Sequence, residues 1–163
     1  MEIRPYGRSD TDADELWELK RGFELGLGAG TGGDDKAERY NQKLTEDYRE
    51  QYLDWVERCV ADDDRCVTVA DAGDGLVGYV FVLPVRLAFI WDAAVLNEIF
   101  VHPDYRGTGV ADDLMDAAIA LARDQSLPLD RLVLDVDREN DRAQAFYDRY
   151  GFEHWGEMVA RKL

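Results

Sequence analysis

At 163 residues, 46% of them hydrophobic, the chain has the length for one domain with a sizeable core, and no internal repeat or long linker argues for two. A net charge of −16 disfavours nucleic acid as a partner, because neutralising phosphates needs a basic surface. No uninterrupted apolar run approaches the ~18 residues of a membrane span, and the opening Met1-Glu2-Ile3-Arg4-Pro5 lacks the basic-then-apolar order of a signal peptide, so a cytoplasmic location without a membrane partner is expected.

The acidity is spread along the chain. Asp outnumbers Glu by 23 to 12, and Arg outnumbers Lys by 15 to 4. Abundant carboxylate with scarce lysine resembles the proteins of salt-in halophiles, in which concentrated salt screens self-repulsion. The melting temperature is therefore expected to rise from low salt into molar KCl; a flat or falling trend would remove the halophilic reading. Cys59 and Cys66 do not make a disulfide framework and are expected to be buried and unbridged.

In chain order, Glu2-Ile3-Arg4-Pro5-Tyr6 alternates weakly and reads as an edge strand, where a proline is tolerated. Thr11 followed by Asp12, Asp14 and Glu15 marks a helix start, and Leu16, Leu19, Phe23 and Leu27 supply its apolar face. Gly26 to Gly33 reads as a flexible loop. Its G-x-G-x-x-G match at Gly28, Gly30 and Gly33 is rejected as a dinucleotide site, because it follows a helical pattern and precedes Asp34-Asp35, which would repel a pyrophosphate. Asp34 is expected to cap a long second helix ending near Ala61, with Tyr40, Leu44, Tyr48, Tyr52, Trp55 and Val56 near one face. Asp62-Asp63-Asp64 is a solvated turn without metal-ligand spacing. Cys66 to Ala70 and Leu76 to Leu83 flank Asp71 to Gly75 as a hairpin.

Pro84 to Asp92 is open between strand continuation and loop. Val95 to Val101 is an apolar run long enough for a buried strand, after which Leu114, Met115, Ala118, Ile119, Leu121 and Ala122 recur at helical spacing. Arg131 to Val136 reads as a strand, Asp141 to Tyr150 as a helix, and Phe152 to Trp155 with Glu157 to Arg161 as a closing strand pair. Alternating elements with short connections give an α/β domain, a mixed sheet covered by helices.

Between the central strand and its helix lies Arg106-Gly107-Thr108-Gly109-Val110-Ala111. A strand, a glycine-containing loop and a helix place unpaired N–H groups at the positive end of a helix dipole, where phosphate binds. The two glycines can take positive φ and let a ligand approach the backbone. An ordinary strand-to-helix turn would use the same glycines for geometry alone.

Arg106-x-x-Gly109-x-Ala111 resembles the R/Q-x-x-G-x-G/A acyl-CoA loop of GNAT-type N-acetyltransferases, and Val101-His102-Pro103-Asp104-Tyr105 is similar to that family's lead-in. A second block, Leu134-Asp135-Val136, Asn140, Ala143, Phe146-Tyr147 and Gly151-Phe152, follows in the family's order. The resemblance implies one domain over residues 1–163, with about six to seven strands, about four helices and a splay between the two central strands. It implies acetyl-CoA as co-substrate, no metal, and transfer to a primary amine of a small molecule or peptide in a ternary complex. A homodimer is left open.

By the same resemblance, the backbone of Gly107, Thr108, Gly109, Val110 and Ala111 binds the CoA pyrophosphate with help from Arg106. A backbone N–H near Phe100 or Val101 meets the developing oxyanion. Asn140 hydrogen-bonds CoA or caps its helix. Tyr147 is the acid for the departing thiolate, and Glu98 the base for the amine, directly or through water. Glu98 and its neighbour Asn97 compete for that role, since strand alternation points only one of them at the site; a purely structural Glu98 is the other reading. Asp112 and Asp113 depart from the family pattern by placing acids beside a polyanion. Phe146 is read as core, and His102 and His154 as structural. Two non-enzymatic readings compete: a silent CoA-binding regulatory module, and an interaction protein using the acidic face and aromatic helix.

Overall fold

The structure is a computed structural model that describes the backbone of residues 1–29 and 33–163 and the side chains of residues 1–27 and 36–163. Five strands form one mixed sheet in chain order: β1 (Glu2–Pro5), β2 (Val67–Asp71), β3 (Leu76–Val82), β4 (Ala94–Val101) and β5 (Leu132–Val133). The first four pair antiparallel, and β5 runs parallel to β4. Five α-helices, α1 (Asp10–Ala29), α2 (Gly33–Lys43), α3 (Glu46–Asp62), α4 (Val110–Asp124) and α5 (Asp141–Arg149), cover it.

The two faces of the sheet bury separate cores. Tyr79 and Phe81 of β3 and Val67 and Val69 of β2 meet Leu16 and Leu19 of α1 and Tyr52 and Val56 of α3 on one side. On the other, Val80, Val82 and Leu96 meet Val110, Leu114, Met115, Ala118 and Leu121, the buried stripe of α4, with Phe146 and Tyr147 of α5 packed alongside. β3 is buried along its whole length because it sits between both cores. Cys59 and Cys66 are free and buried, and burial pushes the Cys66 thiol up to about 12.

Several boundaries differ from the sequence-based expectations. α1 begins at Asp10, with the Ser9 hydroxyl accepting the Asp12 N–H at 3.1 Å, so Ser9 supplies the cap expected at Thr11. It continues through Gly26 to Ala29, shortening the expected loop; helix-interior glycine costs about 1 kcal/mol relative to alanine and does not forbid a helix. The expected long second helix is two helices: the first ends at Lys43, and Thr45 caps the next by accepting the Tyr48 N–H. The Asp34 cap and the G-x-G-x-x-G match fall on side chains and residues outside those described. Val85–Ile90 forms a short 3₁₀ segment.

The strand expected from Arg131 to Val136 shrinks to two residues, and residues 152–163 form no strand. Among the described residues the sheet therefore has five strands rather than six to seven, with five α-helices rather than four. A two-residue β5 offers no template for a closing pair. Side-chain contacts hold the end of the chain instead: the Arg131 guanidinium lies 5.7 Å from the Trp155 ring, and Arg138 pairs with Glu157.

The shortness of β5 positions the site. It pairs with β4 only at Ala94↔Leu132 and Val95↔Val133. Beyond Val95, β4 continues to Val101 with β3 on one edge and no ladder on the other, so the sheet opens there. A register shift places Leu96 opposite Val82 but Glu98 opposite Phe81, leaving Asn97 as the extra residue of a β-bulge. Leu96 joins the α4 core while Glu98, two residues on, faces α1 and α3. Simple alternation, assumed in setting Asn97 against Glu98, fails at that bulge.

Candidate active site

The opening beside β4 leads to the Gly-containing loop. After Val101 the chain folds through a 3₁₀ turn at Pro103–Tyr105, held by Tyr105 N–H to His102 C=O at 2.9 Å. Arg106 Nε donates to the Val101 carbonyl at 3.1 Å, and the Thr108 hydroxyl donates to the Tyr105 carbonyl at 2.5 Å. Gly107 and Gly109 take φ of 74° and 93°, where a side chain is strained, and a Cβ on either would meet nothing within 4 Å. Gly109 is the N-cap of α4 without a side-chain cap, and its carbonyl accepts from Asp113 N–H at 3.1 Å. The N–H groups of that first turn therefore have no side-chain cap at the positive end of the helix.

A cleft of about 310 Å³ lies against this loop. Ile99, Phe100 and Val101 of β4 form one wall, Arg106, Gly107, Gly109 and Ala111 the floor, and Arg142, Phe146, Tyr147 and Arg149 of α5 the other wall. Seven of the anticipated site residues thus meet in one place: Phe100, Val101, Arg106, Gly107, Gly109, Ala111 and Tyr147. Four do not line it. Thr108 is exposed with its hydroxyl turned back on the loop, and Val110 is buried in the α4 core. Asn140 caps α5 by accepting the Ala143 N–H at 3.1 Å, the second of its two anticipated roles. Glu98 lies beneath the sheet on the α1 side.

Arg142 and Arg149 are cleft residues that the sequence motifs do not single out, and Phe146, expected only as core, both packs in the core and lines the cleft. A signal for them exists: positions 142, 146 and 149 lie at i, i+4 and i+7, one face of a helix.

The electrostatics of the cleft invert those of the chain. Three arginines line it against a single carboxylate, Asp112. Arg149 pairs with that carboxylate at 2.7 Å and the Tyr150 hydroxyl donates to it at 2.8 Å. The Tyr150 bond and then Arg149 hold it below the usual aspartate range. Its charge is thereby engaged with α5, while Asp113 is exposed. Arg106 sits below its ordinary value through burial and then through the neighbouring positive charge of Arg142. An anion held between the two guanidiniums would relieve that repulsion. Tyr147 is a different case: burial alone pushes its phenol up to about 12, so it keeps its proton.

Glu98 is the centre of a buried charge network. Lys20 Nζ lies 2.5 Å from its Oε1, and the hydroxyls of Tyr52 and Tyr79 each donate to its Oε2 at 2.8 Å. Burial alone would lower the Lys20 ammonium, but Glu98 and Glu24 outweigh it and raise its pKa. Burial and then Glu98 push Tyr52 and Tyr79 well above the normal phenol value. Both oxygens of Glu98 are therefore held by donors. Among the described residues no group of His, Cys, Asp and Glu has the arrangement to hold a metal ion.

The acetyltransferase (GNAT) family model matches residues 33–152, well over half of the chain. An uncharacterised N-acetyltransferase of Mycobacterium bovis is 30% identical over 153 residues, covering 93% of this chain and 89% of that protein. An uncharacterised N-acetyltransferase of Methanocaldococcus jannaschii is 38% identical over 76 residues, 43% of this chain and 33% of that protein, so the match spans about a third of its length. Among solved structures, the PaiA N-acetyltransferase of Thermoplasma acidophilum in complex with coenzyme A superposes with a TM-score of 0.70 at 21% identity, covering 94% of this chain and 91% of the other.

Proposed function

We propose that this chain, which belongs to the acetyltransferase (GNAT) family, transfers an acetyl group from acetyl-CoA to the primary amine of a small molecule or peptide. The observation that carries the proposal is the cleft itself: an uncapped helix N-terminus with Arg106 and Arg142 beside it and Arg149 paired to its one carboxylate, in a chain of net charge −16. Those groups fit a pyrophosphate, which N–H donors and planar guanidiniums bind by charge-assisted hydrogen bonds. The open edge of β4 from Asn97 to Val101 leaves backbone groups that an extended pantetheine arm would satisfy.

In the transfer, the amine nitrogen forms a bond to the thioester carbon and the C–S bond breaks. The oxygen that gains charge meanwhile is met by a backbone N–H near Phe100 or Val101. Tyr147, protonated and at the cleft wall, gives its proton to the leaving sulfur and is reprotonated from solvent. The amine must lose a proton, since an alkylammonium has no lone pair. Glu98 enters as a base acting through a donor or a water, because its own oxygens are already held. Asp112 is tied to Arg149 and Tyr150, which removes the objection that it repels the co-substrate.

The test is a CoA-release assay over a panel of amines, paired with calorimetric titration of CoA. Cationic amines should exceed glutamate-like and aspartate-like acceptors in kcat/KM, since the acidic chain attracts cations. CoA binding without release across the panel would favour the regulatory-module reading, and no CoA binding would remove both. The highest kcat/KM on an acidic acceptor would overturn the charge argument.

A further inference from the structure

We infer that Glu24, Tyr40 and Tyr48 form a binding site for an organic ammonium group, filled in this structure by the chain's own Lys43, and that the acceptors are diamines or polyamines that displace it. This rests on the acetyl-transfer reading above and names its acceptor class.

Glu24 lies on α1 with only 3% of its surface exposed, and a buried carboxylate is costly unless paired. Its Oε1 takes Lys20 Nζ at 2.5 Å. Its Oε2 has Lys43 Nζ at 2.7 Å but outside hydrogen-bonding geometry, so that oxygen is ion-paired and not hydrogen-bonded. The same ammonium stands 4.5 Å from the Tyr40 ring centre and 5.5 Å from that of Tyr48. A carboxylate with two aromatic faces is the chemistry that holds an alkylammonium. Lys43 reaches the buried Glu24 from a half-exposed position, its side chain 39% exposed against 4% for Glu24, so withdrawing the lysine side chain is what would open the carboxylate to another ammonium.

Composition points the same way. The chain has four lysines against fifteen arginines, yet Lys20 and Lys43 both converge on Glu24. A compact ammonium suits this site where a planar guanidinium does not.

A chain of contacts connects the site to the cleft. Lys20 links Glu24 to Glu98 on β4, and Phe100, two residues further, lines the cleft while packing against Gly22 of α1. On the same helix as Tyr40 and Lys43, Lys36 pairs at 2.8 Å with Asp137, between β5 and the Tyr147-bearing α5. An amine held at Glu24 is held as its cation and has no lone pair to attack with. The nitrogen that reacts must therefore be a second one, which is why the acceptor is a diamine or polyamine and not a simple amine.

The test compares 1,4-diaminobutane, spermidine and 1-aminobutane as acceptors by CoA release in the wild type, Lys43→Ala, Tyr40→Leu and Glu24→Gln. The wild type should favour the two polyvalent amines by ~10-fold or more in kcat/KM, the scale of one ammonium–aromatic and ion contact. Lys43→Ala should lower KM for them several-fold at unchanged kcat by removing the internal competitor. Glu24→Gln and Tyr40→Leu should erase the preference with CoA affinity unchanged. If Glu24→Gln lacks a cooperative melting transition, Tyr40→Leu carries the test. Equal KM for 1,4-diaminobutane and 1-aminobutane, or a higher KM in Lys43→Ala, overturns the inference. So does the absence of calorimetric binding of 1,4-diaminobutane to the CoA-loaded wild type and Lys43→Ala proteins. Failure to bind CoA at all would instead count against the acetyl-transfer reading.

Discussion

Replacing Gly109 by glutamate should abolish CoA binding and leave a folded protein. Gly109 holds φ of 93°, and a side chain there costs about 1–2 kcal/mol of strain. Nothing lies within 4 Å of its would-be Cβ, so the added side chain enters the cleft without colliding with the core. There its carboxylate competes for the N–H groups and arginines that a pyrophosphate would use. A rise in Kd of at least ~100-fold, ~2.7 kcal/mol, is expected by calorimetry on a variant that still melts cooperatively. Gly109→Ala separates the two causes, since it keeps the strain and omits the charge, and should lose far less. Unchanged affinity in Gly109→Glu would remove the loop from the CoA site.

Tyr147→Phe should lower kcat by ~10²–10⁴, the usual contribution of a general acid. The substitution keeps the ring, which packs against Phe146 and Phe152 at centroid distances of 5.6 Å each, and removes only the hydroxyl. CoA affinity should therefore stay near the wild-type value. The phenol titrates near 12 because burial disfavours its charged form, so it stays a proton donor through the neutral and mildly alkaline range. Its loss should be equally severe at every pH up to about 10, where an unperturbed tyrosine would already be half ionised. Full single-turnover rates in the variant would return Tyr147 to a packing role.

The loop and the β4 wall of the cleft are legible in the sequence because their signals are local. A strand-length apolar run, glycines at positions 107 and 109 and a 3.6-residue repeat from Leu114 onward each follow from a few neighbouring residues. Arg142 and Arg149 are equally local, at helical spacing from Phe146, but nothing along the chain says which side of α5 meets the loop. Helix ends are poorly legible where a short-range choice decides them, as at Thr45, whose hydroxyl could cap a new helix or sit within a longer one. The closing strands rest on alternation alone. A strand exists only with a partner, and the short β5 supplies none.

Sequence by itself determined that the chain is an acidic α/β protein with a loop suited to an anion, since composition, periodicity and glycine placement are properties of contiguous residues. Only tertiary structure decided the partners of its charged groups. Glu98 is 78 positions from Lys20 and shares its ammonium with Glu24, and a bulge at Asn97 turns it toward α1. Asp112, alarming beside a phosphate site when read along the chain, is paired by Arg149 and Tyr150 across the interface of α4 and α5. The physical reason is common to both. A charge in a folded protein takes its energy from the groups within a few ångströms and from its exposure to water, and the packing of distant segments sets both.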